Sequence, residues 1–295
     1  MRWGTRRIAV ATGVYALVAA LVAAAPVSAA KGKRKIHVRP GQDAISRALA
    51  RADDGDVLRI HKGRYREELT VDKRVTLMAA GKRRPVIDGD CATRATIEAQ
   101  TDRVRLRRLK VVGGSAIEVD FNGVSGGRAS ELIVRDTCDA EYGINLFDTG
   151  ATAIVKSRAF GFHDAGFYIG EITSTPTGPI RLRRSESYAN LRGVIVENSS
   201  GGDIRVTRND LHDNNIFFGP AQPTGILITN SDGVLVKAND VADNAMFGLD
   251  ITADSAGNRI NHNIFVGNRI DIRNQGDGTC GSGNIVTTGD AIPPC

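Results

Sequence analysis

Five short stretches of this chain share one form: a glycine, an aliphatic or aromatic residue, a variable residue and a second aliphatic. They are Gly143-Ile-Asn-Leu, Gly166-Phe-Tyr-Ile, Gly193-Val-Ile-Val, Gly225-Ile-Leu-Ile and Gly248-Leu-Asp-Ile, with glycines 23, 27, 32 and 23 residues apart. Upstream of the later units lie the alternations Ile180-Arg-Leu, Ile204-Arg-Val and Val234-Leu-Val. Polar turn residues recur at Ser185, Asn209, Asn239 and Asn263, and again before the glycine at Asn190, Asn214 and Asn244. A repeat of this length means that each unit is one structural layer that buries its apolar face only by stacking on its neighbours.

Alternation with a period of two makes the short runs strands, each with one face turned inward. Three strands and three bends per repeat, stacked in register, give three parallel sheets around a narrow aliphatic core. The expected fold is therefore all-β, a single-stranded solenoid of about ten rungs coiled as a right-handed parallel β-helix, rising roughly 45–50 Å at about 4.8 Å per rung. Asn at a recurring bend tolerates left-handed geometry and bonds to its neighbours above and below, and Gly permits the turn into the next strand. Aromatics make up only 5% of the residues against 33 glycines, a balance that suits short strands and tight turns.

The ends read differently. Residues 1–30 carry Arg2, Arg6 and Arg7, an apolar run from Ile8 to Ala25, and Val27-Ser28-Ala29, the layout of a cleavable secretory signal peptide. The expected β-helix domain is then 31–295, with no membrane span after cleavage, secreted or held at the cell wall. Residues 41–52 place Ala44, Ile45, Ala48, Leu49 and Ala52 on one helical face, a cap for the exposed edge of the first rung. The tail 279–295 is the candidate cap at the other end. Four cysteines allow three pairings, of which Cys91–Cys138 and Cys280–Cys295 are favoured as ties between near rungs and within the tail. No C-x-x-C occurs, which argues against a zinc knot.

Residues 40–89, and above all Gly55-Asp56 followed by Gly63-Arg-Tyr65, resemble the opening of pectin-lyase-like right-handed β-helix proteins, and residues 110–275 resemble their Asn- and Gly-marked repeats. The resemblance implies the fold and a carbohydrate-active role on an acidic polysaccharide, lyase-like if catalytic. The alternative is a non-catalytic binding or structural β-helix at the cell surface. The Asp-Pro-His-Asp motif of mannuronan epimerases, the Gly-His-Gly and Arg-Ile-Lys motifs of polygalacturonases and the paired-Asp motifs of pectin methylesterases do not occur, so no catalytic set carries over.

The resemblance makes the sheet of the Gly-Ile-x-Leu units the substrate face. Alternation points Ile144, Phe167, Val194, Ile226 and Leu249 inward and Asn145, Tyr168, Ile195, Leu227 and Asp250 outward. Glu118 and Asp120 are expected to add two acids to that surface. His163, Tyr168 and Arg192 are the candidate acid, base or charge-neutralising groups. Asp148, Glu171 and Glu197 on neighbouring rungs are candidate ligands for Ca2+, the one cofactor this surface suggests. Asn145, Asp250, Phe217 and Phe218 are candidate sugar contacts, with at least one of the two phenylalanines expected to fold back onto the core. Two long bends, 171–179 and 215–223, flank the face. His163 aligns with the bend residue Asn190, which gives it a structural reading as well.

Charge is uneven. Residues 31–110 carry 22 basic and 11 acidic side chains, and residues 111–295 carry 14 and 22. Arg105, Arg107, Lys156, Arg181, Arg183, Arg205 and Lys237 fall at outward positions of the preceding strand, a basic ladder suited to an acidic polymer or to plain solvation. An exported chain with a net charge of about +3 after cleavage and no aromatic-interleaved basic motif is not expected to bind nucleic acid. A monomer is expected.

Overall fold

The computed structural model describes residues 33–173 and 178–295. The expected signal peptide, and 174–177 of the first long bend, fall outside them. Three parallel sheets of eleven, nine and nine strands wrap one core as a right-handed β-helix. Sheet 1 runs from Lys35–Val38 to Cys280–Ser282, sheet 2 from Arg64–Arg66 to Ile264–Val266, and sheet 3 from Leu69–Val71 to Ile270–Asn274. Every strand pairs in parallel with the strand one turn away.

The register stacks like on like. Val119, Ile144, Phe167, Val194, Ile226, Leu249 and Ile272 form one interior column of sheet 3, each fully buried. Burial of such a column is the main favourable contribution to the stack, at roughly 25 cal/mol for each Å² of apolar surface covered.

Two polar ladders run inside the bends. Between sheets 1 and 2, the side-chain amides of Asn209, Asn239 and Asn263 each donate to the oxygen of the next rung, ending on Asn284, over 2.9–3.0 Å. Between sheets 2 and 3, Asn190, Asn214, Asn244 and Asn268 do the same over 2.8–3.0 Å, and Asn268 ends on the Asp271 carboxylate at 2.9 Å. The same oxygens accept backbone N–H groups, as from Asn209 to Asn239 at 2.9 Å. Backbone groups that a sharp bend strips of ladder partners are thereby satisfied.

Two expectations about these bends are corrected. The left-handed residue is not the asparagine but the one before it: Arg208, Ala238 and His262 precede one ladder and Ala189, Asp213 and Asp243 the other. Asparagine serves here through its amide, which donates to one rung and accepts from another at the same time. The glycines are required for space. A Cβ on Gly193 would lie 2.6 Å from the Gly225 carbonyl oxygen, and one on Gly225 2.7 Å from that of Gly248.

The helix is shorter than 41–52, spanning Ala44–Ala50, with Ile45, Ala48 and Leu49 buried against the first rung. The Glu67 carboxylate accepts the N–H groups of Ile45 and Ser46 at 3.0 and 2.8 Å, and Lys73 Nζ donates to the carbonyls of Leu49 and Ala50. A helix too short to stand alone is thus tied at both ends to the rung that it covers. Disulfides join Cys91 to Cys138 and Cys280 to Cys295. The tail folds back over the last rung, where Gly281 N–H meets the Pro293 carbonyl and Ile285 and Gly289 bridge to sheets 2 and 3. No helix among the described residues is long and apolar enough to cross a membrane.

Candidate functional site

The outer face of sheet 3 is covered by its own side chains. Outward positions Asn145, Tyr168, Ile195 and Asp250 are all buried. Ala165, Tyr168 and Ile195 form an apolar cluster separate from the core, flanked by Tyr142, Phe147 and Leu227. The Tyr142 and Tyr168 rings lie 4.6 Å apart. Aromatic carbon outside a closed core, beside polar groups, is a composition common at ligand-binding surfaces.

Several acids on this face are paired. Tyr168 Oη donates to Glu197 Oε2 at 2.9 Å. Burial, reinforced by Glu197, drives the Tyr168 phenol far above its ordinary pKa, so it is held protonated. Burial and Asp164 do the same to Tyr142. Arg192 pairs with Asp164, whose carboxyl is nevertheless raised because its burial outweighs the guanidinium. Asp120 accepts from Arg94 at 2.6 Å and from Asn145 Nδ2 at 2.8 Å. Asp250 is gripped by Arg273, whose guanidinium carbon also lies 4.1 Å over the Phe247 ring.

Two polar atoms here have no hydrogen-bond partner: Asn145 Oδ1 and His163 Nδ1, both buried. His163 Nδ1 lies 3.4 Å from Asp139 Oδ1 without bonding to it, and its ring sits 5.0 Å from that of Phe218. Phe217 and Phe218 are both exposed, at 66% and 58%, so neither folds back onto the core.

Asp148, Glu171 and Glu197 do not converge. Glu197 shares a column with Phe147 and Gly170, while Asp148 and Glu171 occupy the left-handed position one residue further on. Glu171 accepts from Asn198 Nδ2 at 2.6 Å, and Glu197 holds Tyr168. Among the described residues no three His, Cys, Asp or Glu side chains gather to hold a metal. The set does not fit a calcium site, which takes six to eight oxygens.

Glu118 is not on this surface. It stands in register with Gly143, at the corner where the backbone turns inward, and is fully buried. Period-two alternation fails at that corner. Sequence reasoning also missed Tyr142, Ala165, Thr224 and Phe247, which share with Arg192 the column before each glycine, although the repeat itself carried that signal. It missed a stack on sheet 2 as well, where Phe160, Tyr188 and His212 lie 5.0 and 5.3 Å apart, ring to ring.

Fold and face together define a pectin-lyase-like right-handed parallel β-helix. Pectate lyase Pel9A has the same fold, with a TM-score of 0.68, 15% identity, and 88% of this chain and 78% of that one covered. So does an alginate lyase from Paenibacillus sp. str. FPU-7, with a TM-score of 0.54, 14% identity, and 88% and 97% covered. The PL6 family alginate lyase AlyGC matches with a TM-score of 0.58 at 16% identity, over 87% of this chain and 40% of that one. No curated protein matches the chain.

Within that class the chain belongs to the NosD family, described as periplasmic copper-binding protein, whose model matches residues 104–285. The described residues do not form a copper site. All four cysteines are in disulfides. One histidine pair, His37 and His61 at 3.0 Å, sits beside Arg39 and Arg59; desolvation first, and then Arg39, His37 and Arg59, lower the His61 pKa, and the two guanidinium groups oppose a cation.

Proposed function

We propose that this is an exported carbohydrate-active β-helix protein that takes an acidic polysaccharide on the outer face of sheet 3, with lyase-like chemistry. The carrying observation is the Tyr142–Tyr168 platform, rings 4.6 Å apart, on the face that also carries the Tyr168–Glu197 and Arg192–Asp164 pairs. Aromatic rings beside charged, hydrogen-bonded groups suit the faces and carboxylates of acidic sugars. In this reading His163 takes the proton next to the uronate carboxylate, Tyr168, held protonated, donates to the leaving oxygen, and Phe217 and Phe218 stack on the sugar. Arg192 would neutralise the substrate carboxylate once released from Asp164. Disulfides support an oxidising compartment outside the cytoplasm. No step is routed through calcium or copper.

The test is turnover of pectate, alginate and glycosaminoglycans, with and without calcium, followed by ultraviolet absorbance of the unsaturated product. His163→Ala and Tyr168→Phe are expected to lower the rate by about a hundredfold, the scale of one acid or base, with an unchanged Tm. Unchanged rates in both variants would remove the assignment. One observation favours a binding protein without turnover. Arg192 and Asp250 each already hold a counter-charge, so the face has few groups free for chemistry.

A further inference from the structure

Sheet 1 carries a second surface. Its two outward columns and the left-handed bend that follows hold a cation on nearly every rung. One column reads Thr76, Arg105, Arg128, Ala153, Arg181, Arg205, and the next Met78, Arg107, Ser130, Val155, Arg183, Thr207, Lys237. The bend adds Arg108, Lys156, Arg184 and Arg208. Two acids meet this set: Glu131, 3.3 Å from Arg107 and 3.8 Å from Arg108, and Asp203, which holds Arg205 at 2.6 Å.

The shape matches the charge. A 460 Å³ cleft runs from Thr76 to Arg184, and it shares Arg183 with a 350 Å³ cleft that continues to Lys237. At the other end it shares Thr76 and Arg105 with a 310 Å³ cleft reaching Arg74 and Lys33. The joined groove follows the helix axis over seven strands, roughly 29 Å at about 4.8 Å per step. Its floor includes the apolar side chains of Met78, Val155 and Leu235.

Folding alone does not account for this. Arg105 stacks on Arg128, and like charges directly opposed across strands are destabilising; Arg181 stacks on Arg205, which Asp203 holds at 2.6 Å. Sheet-edge protection does not apply, because these strands lie in the interior of the sheet. Arg183 Nε is buried with no hydrogen-bond acceptor. We propose that the outer face of sheet 1 is a docking groove for a linear carboxylated polysaccharide lying along the helix axis. Guanidinium groups pair with carboxylates in a planar, two-bonded geometry, and the apolar floor suits the faces of sugar rings. The groove is on a different sheet from the face assigned above and does not rest on that assignment.

The experiment is affinity electrophoresis of the whole chain through gels containing polygalacturonate, with neutral dextran, a glycerol-phosphate polymer and single-stranded DNA as the other arms. Retention by polygalacturonate is expected to fall with added NaCl and to drop about tenfold or more in an Arg128→Glu/Arg183→Glu double variant of unchanged circular dichroism. Arg128→Gln/Arg183→Gln is the milder pair should the reversals fail to fold. Wild-type retention in a folded double variant, no retention of the wild type, or stronger retention by the phosphate polymer or DNA would overturn the proposal. If the wild type is retained but turns nothing over, the groove stands and the sheet 3 chemistry falls.

Discussion

At the residue scale, Glu118 shows how one side chain can run against its setting. It is fully buried in the corner column that glycines occupy on later rungs. Its carboxylate accepts Gly113 N–H at 3.0 Å, Gly114 N–H at 3.2 Å and Thr96 Oγ1 at 3.0 Å. Burial still wins over these donors and pushes its pKa up to about 8, well above the 4.5 of a free glutamate. The folded chain therefore holds this proton to higher pH than the unfolded chain does. The associated stability is complete below the unfolded pKa and is lost as pH rises through about 8. Glu118→Gln is expected to gain on the wild type in Tm as pH rises between about 5 and 8, measured by thermal melts across that range. A Tm difference that does not vary with pH would show that the carboxyl titrates normally. Sequence alone placed this acid on the surface, because the corner's departure from alternation has no local signature.

At the element scale, the ladders carry much of the register. Each internal asparagine satisfies at least two backbone groups and the next amide, so replacing one strands several polar groups at once. Asn239→Ala is expected to cost about 2–4 kcal/mol, read from denaturant melts, since each unsatisfied buried group costs about 1–3 kcal/mol. Asp232→Ala, on a half-buried bend where the carboxylate accepts the Ala256 N–H at 2.7 Å, is the comparison and is expected to cost less. The ladder asparagines were legible in the sequence because they recur at one offset from each apolar triplet. The left-handed residues before them were not, because Arg208, Ala238 and His262 have no chemistry in common; only their place in the bend unites them. The Gly-Ile-x-Leu strands and their interior columns followed directly from spacing. The pairing that closes off the sheet 3 face did not, since it depends on which rung lies over which. Arg273, 23 residues from Asp250, is the clearest case.

At the scale of the whole molecule, the two disulfides act on different parts of the stack. Cys91–Cys138 spans 47 residues and Cys280–Cys295 spans 15. On the loop-entropy model they contribute about 4 and about 3 kcal/mol. Reduction is expected to lower Tm, and Cys295→Ser alone is expected to release the tail first, seen as early hydrogen exchange at the last rung while the middle rungs stay protected. Uniform exchange along the stack would argue that the tail does not hold that end. The fold was readable at this scale because a solenoid writes its architecture as periodicity. The groove on sheet 1 was half readable: the basic positions recur in the sequence, but their continuity into one channel appears only when the rungs are stacked.

The glycine spacing that varies from 23 to 32 residues has a further consequence. Asn190, Asn214, Asn244 and Asn268 stay in one line although the segment between Asn214 and Asn244 includes the Phe217–Phe218 excursion. Extra chain is expelled sideways and the spine keeps its pitch. Descendants of this gene can therefore gain or lose whole loops, and with them new specificities, while the scaffold beneath is left as it was.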